Sequence, residues 1–317
     1  MTEWSLASAE LTAAQVAAIL KLAGRAGAAD GVAPLSEPVL LHLRYDGSVP
    51  PTGAGAAPTG AGAGAAPETR LGRDFVATVD GEIAAYAHLA PPGPEVSGEL
   101  VVDPGRRRQG IGRALVGELA AAANGHLLQL WAHGDLPAAA SLARVAGLER
   151  FRTLWQLRRS LRDPVTRPEF PPGRRLRTFV PGQDEDEWLA LNGRAFAKHP
   201  EQGGWTRHDL QLREREPWFD PAGFFIAERH GQMAGFHWTK VHPPGVGEVY
   251  VVGVDPVEQG SGLGRALTLA GLEHLRDLGL QEAMLYVDGD NTAAIRMYEA
   301  LGFTRARTDV MYRRADR

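Results

Sequence analysis

The sequence predicts an α/β (α+β) chain of two tandem domains, each a mixed, mostly antiparallel sheet flanked by helices. Three observations carry this reading. First, the chain repeats itself: residues 100–115 (LVVDPGRRRQGIGRAL) return as residues 252–267 (VGVDPVEQGSGLGRAL), with Gly262 standing 152 residues after Gly110. At that one offset Asp103/Asp255, Pro104/Pro256, Gly110/Gly262 and Gly112/Gly264 coincide without a gap. Self-similarity at about half the chain length means two copies of one domain, and a chain of 317 residues fits two domains of ordinary size. Second, strand and helix patterns alternate in both halves, as they do when helices cover a sheet. Third, each copy sets a glycine-rich turn between a strand that ends in Asp-Pro and a helix.

In the first copy, apolar residues recur at helical spacing from Thr12 to Ala28, and residues 35–44 suggest a second helix. Residues 49–67 (VPPTGAGAAPTGAGAGAAP) hold no aromatic residue and no charge. Such a stretch buries too little surface to offset its ordering entropy, and a flexible surface loop is expected there. Strands Phe75–Val79 and Ile83–His88 flank Asp80-Gly81, a hairpin signal. A third strand ends at Val102, a helix starts after Gly112, and a strand covers Leu127–Trp131. A short helix over 137–146 and a strand over 149–159 close the copy. Residues 160–173 (SLRDPVTRPEFPPG) are rich in Pro and charge. The expected division is therefore 1–160, a linker at 161–173, and 174–317.

The second copy repeats the plan: a strand near 174–179, helices at 184–197 and 206–215, a hairpin turning at His230-Gly231, and a central strand ending at Val254. A helix over 262–278, a strand over 281–287, a helix over 291–301 and a strand from Phe303 follow.

Composition excludes several classes of function. Lys plus Arg number 34 and Asp plus Glu 38, a net charge of −4 that gives no electrostatic case for nucleic acid or membrane as the main partner. No cysteine is present, so disulfides, thiolate metal ligands and a cysteine acyl-enzyme are ruled out. No apolar run approaches the ~20 residues of a membrane helix, and the start of the chain lacks a basic stretch followed by an apolar one. A soluble, cytoplasmic monomer is the expectation.

Glycines in the turns at 107–112 and 259–264 let the backbone approach a ligand closely. The N–H groups at the start of the following helix then form an anion site, and a pyrophosphate is the expected guest. The turn lacks the acidic residue of a dinucleotide fingerprint and the Gly-Lys-Ser/Thr of a P-loop. It resembles instead the acetyl-CoA motif of the GNAT N-acetyltransferases, Gln/Arg-x-x-Gly-x-Gly/Ala after the fourth strand. Both Gln259-x-x-Gly262-x-Gly264 and Arg107-x-x-Gly110-x-Gly112 match. Asn291-Thr-Ala-Ala-Ile-Arg-Met-Tyr-Glu-Ala-Leu-Gly-Phe303 resembles the family's second signature. The resemblance implies that the fourth and fifth strands splay, that pantetheine inserts between them, and that a backbone N–H near Val252–Val254 polarises the thioester carbonyl.

Acetyl transfer to an amine needs a base for the ammonium proton and an acid for the departing thiolate. Glu248, on the strand leading to Val254, is the candidate base. Tyr298 lies in the helix where the family places its general acid; a phenol near pKa ~10 protonates a thiolate, whose thiol lies near ~8.5, only when positioned for it. The two are expected on the same face of the sheet, converging on the acetyl group. The internal repeat serves as a control. At an offset of 152, Glu248 matches Val96; at the offset of 155 that aligns Gly302 with Gly147, Tyr298 matches Ala143, Asn291 matches Leu136 and Tyr286 matches Trp131. The first copy thus keeps the turn and lacks both proton-transfer groups. Chemistry is expected in the second domain, by direct attack within a ternary complex. Glu248→Gln and Tyr298→Phe are each expected to cut turnover by ~10²–10⁴.

Asp30–Glu37, His199–Trp205, Gly235–His242 and Gly247–Pro256 together resemble the actinobacterial mycothiol synthase family, over nearly the whole chain except 49–67. That family acetylates the cysteinyl amine of Cys-GlcN-Ins. The resemblance implies substrate contacts at Glu37, Glu201, Lys240, Glu248 and Tyr286. It implies acetyl-CoA contacts at Val252, Gly253 and Val254, at Gln259, Gly260, Ser261, Gly262, Leu263, Gly264 and Arg265, and at Asn291, Thr292, Ala293, Ala294, Ile295 and Arg296. A second acetyl-CoA site is implied at Leu100, Val101 and Val102 and at Arg108, Gln109, Gly110, Ile111, Gly112 and Arg113. No metal is expected. Trp188, Trp205, Trp218 and Trp238 fit either a sugar-stacking platform or a packed core. His199, His237 and His242 show no metal-ligand spacing and read as structural. The alternatives are acetylation of another amine (a protein N-terminus or an aminoglycoside) and a non-catalytic acetyl-CoA-binding protein.

Overall fold

The computed structural model describes residues 4–46, 72–91, 95–199 and 201–314. The low-complexity stretch at 49–67 lies outside the described residues. The first half runs β1 (Trp4–Ala9), α1 (Ala13–Asp30), α2 (Glu37–Leu41), β2 (Arg73–Val79), β3 (Glu82–Leu89), β4 (Glu95–Val102), α3 (Ile111–Ala122), β5 (Leu127–Ala132), α4 (Pro137–Val145) and β6 (Leu148–Ser160). The second runs β7 (Arg174–Thr178), α5 (Glu185–Ala195), α6 (Arg207–Glu214), β8 (Phe224–Arg229), β9 (Gln232–His242), β10 (Val246–Val254), α7 (Leu263–Asp277), β11 (Glu282–Asp288), α8 (Thr292–Ala300) and β12 (Thr304–Arg314). No helix among the described residues is long and apolar enough to cross a membrane.

Local chemistry explains the boundaries. Thr12 and Gln15 form a capping box that opens α1, and Gly31 ends that helix in the left-handed region at φ 70°. Thr206 and Asp209 form the same box for α6. Both hairpin turns use paired left-handed residues, Asp80-Gly81 at φ 50° and 80° and His230-Gly231 at φ 53° and 77°. That geometry matches the twist of the strands it joins.

The chain divides into two compact units, Met1–Thr153 with Thr308–Arg317, and Leu154–Arg307. This corrects the division at 160 and 174 expected from the sequence. β6 is one continuous strand of 13 residues. Its later part, Leu154–Ser160, pairs with β11, whereas Val310–Arg313 of β12 pairs with β5. The last strand of each unit's sheet therefore comes from the other half of the sequence. The stretch 161–173 is also no free linker: Leu161 is buried in the second core, and Val165 and Phe170 pack against apolar clusters.

Each unit is a three-layer sandwich. In the first, Val76, Tyr86 and Val101 pack under α1 and α2, while Phe75, Ala77, Val96 and Leu128 face α3. In the second, Phe224, Phe236 and Trp238 pack under α5 and α6, while Val249, Leu285 and Val287 face α7 and α8. Strands β4–β5 and β10–β11 are the parallel pairs; their other neighbours run antiparallel.

Candidate active site

The two parallel pairs are joined only at one end. β10 meets β11 at Gly247↔Ala283 and Glu248↔Met284 and at no further rung. A bulge between Val249 and Val251 interrupts the β9–β10 ladder at this level, so Tyr250 is an extra residue in β10. A bulge bends and twists its strand, which turns Val251–Val254 away from β11. β11 keeps its other edge paired to β6 through Asp288. In unit 1, β4 and β5 likewise pair from Glu95↔Leu127 to Gly98↔Leu130 and then part.

Each gap opens toward a glycine turn. In unit 2, Asp255 accepts from the Val257 N–H at 3.1 Å and holds Arg194 by an ion pair at 2.8 Å. Gly260 and Gly262 adopt φ 78° and 88°, and α7 starts from Gly262 with no side-chain cap. The Leu263 N–H donates to Ser261 Oγ at 3.4 Å, and the next N–H groups of α7, at Gly264 and Arg265, are left for a ligand. In unit 1 the corresponding cap is Gly110 at φ 88°. Where unit 2 has Gly260, unit 1 holds Arg108 at φ 65°, a conformation that costs a non-glycine residue about 1 kcal/mol. Arg107 is tied to Asp30 by two bonds of 2.7 Å. A cavity of about 400 Å³ in unit 1 runs between the parted strands, lined by Val101, Val102, Arg106, Arg107, Arg108 and Trp131 among others.

Glu248 is 6% exposed and sits at the last rung before β10 and β11 part. His242 Nε2 lies 2.5 Å from its Oε2. Lys240 stands directly across the β9–β10 ladder, its Nζ 4.3 Å above the Trp218 ring and 5.0 Å from that of Tyr250. Tyr286 follows Met284 by two residues, so it shares this face; its hydroxyl accepts from Gln156 Nε2 at 2.9 Å. The structure thus brings Glu248, Lys240 and Tyr286 onto one face and adds His242, which the sequence reading dismissed. The signal was available: a turn at Pro243–Gly245 puts residues 240, 242 and 248 on one side of the hairpin.

Tyr298 does not join them. A side chain built on Gly247 would strike Leu275 of α7, and Val249 packs with Leu272, Leu275 and Tyr298. Both neighbours of Glu248 therefore face the α7–α8 layer, and Glu248 faces the other. The expectation that Glu248 and Tyr298 share a face is corrected: α8 packs on the face opposite the carboxylate. Tyr298 is buried, with the Phe303 ring 5.8 Å away, and burial pushes its phenol up to about 12.

The match of Glu248 with Val96 is also corrected. Glu248 pairs with Met284, and Ser97 pairs with Gln129, the residue 155 positions before Met284. The bulge at Tyr250 adds one residue to β10, so the counterpart of Glu248 is Ser97. Unit 1 does hold a buried carboxylate, Glu99, on the face of α1 and α2. It accepts from the Ser36 N–H at 2.7 Å and lies 3.6 Å from His133, which in turn binds Asp309 at 3.0 Å. Burial alone would lower the His133 value, but its two carboxylate partners raise it to about 10. A second buried group joins His42, Asp74 and His88, with contacts of 2.8 and 2.9 Å and a bond from the Tyr86 hydroxyl. These residues fit both a mutually satisfied hydrogen-bond set and metal ligation by spacing. Sequence reading missed both clusters because their members are scattered over β2, β3, β4, β12, the turn after β5 and the segment after α2.

The remaining expected contacts are dispersed. Glu37 opens α2 in unit 1, beside Ser36. Glu201 precedes a short turn over Gln202–Gly204, and its N–H donates to His199 Nδ1 at 3.3 Å. Asn291 caps α8 by accepting from the Ala294 N–H at 3.1 Å, which engages one oxygen lone pair in the fold. Trp188 and Trp238 are fully buried, which resolves those two as core.

A parallel pair splayed beside a glycine-opened helix, present twice in one chain, is the architecture of a tandem GNAT acetyltransferase. Residues 188–303 match the acetyltransferase (GNAT) family model and residues 72–144 an acetyltransferase (GNAT) domain. Among solved structures, a tandem GNAT protein from the clavulanic acid biosynthesis pathway superposes with TM-score 0.71 at 22% identity, covering 99% of this chain and all of that one. A GCN5-related N-acetyltransferase from Sphaerobacter thermophilus gives 0.67 at 24%, covering 98% and 95%. Curated relatives are nearer. Mycothiol acetyltransferase of Thermobispora bispora is 56% identical, covering 94% of this chain and 95% of that protein. The enzyme of the same name from Thermomonospora curvata is 55% identical (95% and 94%) and that from Geodermatophilus obscurus 52% (96% and 96%). The chain belongs to the mycothiol acetyltransferase family and is an acyltransferase whose family takes acetyl from acetyl-CoA.

Proposed function

We propose that this protein transfers acetyl from acetyl-CoA to the cysteinyl amine of Cys-GlcN-Ins, giving mycothiol. Identity of 56% to a mycothiol acetyltransferase over 94% of the chain carries this reading. The residues of unit 2 fit the donor. The uncapped start of α7 and the turn Gln259–Gly264 suit a diphosphate, and the unpaired edge of Val252–Val254 suits pantetheine. Bound there, acetyl-CoA supplies the acetyl group as a thioester.

Glu248 Oε accepts the ammonium proton of the amine, directly or through water, while His242 orients the carboxylate. Lys240 and Tyr286 donate to substrate hydroxyls on the same face, and Glu201 is a further substrate contact of unit 2. Tyr298 approaches from the other face of the sheet. Because the strands part just beyond Glu248, a group lodged between them is flanked by carboxylate on one side and phenol on the other. Burial pushes the Tyr298 phenol up to about 12, so it is protonated when the thioester binds. Burial disfavours a bare thiolate in the same site as much as it disfavours the phenolate, so Tyr298 donates to the sulfur as it departs. Unit 1 holds a second acetyl-CoA through Leu100–Val102 and Arg108–Arg113, and its fit rests on the cavity and the cap at Gly110.

Release of free CoA, followed with a thiol reagent, and product mass tested with Cys-GlcN-Ins, peptide amines and aminoglycosides decide the matter. One acetyl added to Cys-GlcN-Ins alone is the expected result; equal rates with peptide amines would overturn the substrate assignment.

A further inference from the structure

Unit 1 repeats the splay of unit 2 with its phenol moved. Tyr298 lies four residues before Gly302, and Ala143 lies four before Gly147, so the two occupy one position of the repeat. The neighbouring strand supplies the other half of the comparison. In unit 2, Leu157 of β6 stands opposite Leu285 of β11; in unit 1, Tyr312 of β12 stands opposite Leu130 of β5. Leu285 and Leu130 are 155 residues apart, as are Gly302 and Gly147. Leu157 and Tyr312 are therefore equivalent. Leu157 shares an apolar cluster with Tyr298, and Tyr312 shares one with Ala143. The pair is Tyr on the helix with Leu on the strand in one unit, and Ala on the helix with Tyr on the strand in the other. The small helix residue leaves room for the large strand residue.

Tyr312 is 5% exposed, and its hydroxyl is buried with no hydrogen-bond partner among the described residues. Buried donors are nearly always satisfied, and Tyr312 is one of the residues that line the cavity of about 400 Å³ between the parted strands. The surroundings define what is missing. Leu130, Leu142, Ala143 and Leu148 line the cavity beside Tyr312, while Arg106, Arg108 and Arg113 supply its cationic lining; Arg107 also lines it but is paired with Asp30. An anionic group joined by an apolar arm to a neutral acceptor satisfies both sets. An acyl thioester is such an acceptor, and free CoA lacks its carbonyl.

We propose that Tyr312 donates a hydrogen bond to the thioester of an acyl-CoA in the unit 1 cavity, so that this cleft distinguishes acyl-CoA from free CoA. The assignment rests on the reading of unit 1 as an acetyl-CoA site, and the two are separable by experiment. The full chain is titrated calorimetrically with acetyl-CoA and with CoA as wild type, as Tyr312→Phe, and with Arg106→Glu and Arg108→Glu combined. Wild type should take up two equivalents of acetyl-CoA and the double charge reversal one. Tyr312→Phe, which keeps the ring and its packing, should weaken acetyl-CoA at the unit 1 site by roughly three- to tenfold and leave CoA unchanged. With carbonyl-labelled acetyl-CoA, the infrared carbonyl stretch of that site should rise in Tyr312→Phe. A wild type that binds one equivalent, or two in the charge-reversed chain, would remove the reading of unit 1 itself. Two equivalents with Tyr312→Phe weakening both ligands alike, or neither, would leave that reading in place and overturn the role of Tyr312.

Discussion

Glu248 is the side chain on which turnover turns. It is buried at the last rung before the strands part, with the His242 imidazole 2.5 Å from its Oε2. Glu248→Gln keeps the shape and removes the basicity. We expect kcat/KM to fall by ~10²–10⁴ with the melting temperature little changed, read by thiol release and calorimetry. A loss within twofold would remove Glu248 from the mechanism. Tyr298→Phe removes a hydrogen-bond donor to the departing sulfur, and a loss of ~10²–10³ in kcat is expected, with KM for the amine held. The carboxylate and the phenol were legible as candidates from their residue types and motif positions. Their placement on opposite faces was not, because helical periodicity tells which side of α8 is apolar but not which face of the sheet α8 covers.

At the scale of elements, α7 shows how packing overrides intrinsic preference. Gly271 lies mid-helix, where alanine is favoured by about 1 kcal/mol. A Cβ there would come within 2.0 Å of the buried His237 ring, whose Nδ1 donates to the Leu267 carbonyl at 2.7 Å. The ring has nowhere to move, so Gly271→Ala should lower the melting temperature by several degrees despite the propensity gain, as overpacking costs ~1–3 kcal/mol. An unchanged or higher melting temperature would show that β9 can yield. The bulge at Tyr250 belongs to the same scale. It lies where β10 parts from β11 and shifts the repeat by one residue, and no local sequence signal marks it, since Val249–Val252 reads as an unbroken strand.

For the whole molecule, two buried histidines set opposite limits on stability. His133 stands at about 10 in the folded state against an ordinary 6.5. Its contribution is complete below pH ~6.5 and is lost as pH rises through the folded value. His237 is the reverse: burial pushes it down to about 4, so the folded state favours the neutral ring, and stability falls as pH drops from 6.5 toward that value. Thermal scans from about pH 5 to about pH 10 should therefore show a maximum near neutrality. His133→Gln should flatten the alkaline side and leave the acid side alone. An alkaline side unaltered by that substitution would mean that the Glu99–His133–Asp309 set does not govern it.

The sequence by itself determined the duplication, the order of strands and helices, the glycine turns and the residue types able to move a proton. All of these are local: they depend on spacing along the chain, on turn chemistry and on helix caps. Tertiary structure alone decided that β6 and β12 close each other's sheets, that 161–173 packs instead of hanging free, and that His133 meets Asp309 across 176 positions. A strand's pattern of apolar and polar residues specifies a face to bury. It does not specify a neighbour, because backbone hydrogen bonds are the same for every partner, and only the packing of whole layers chooses among them.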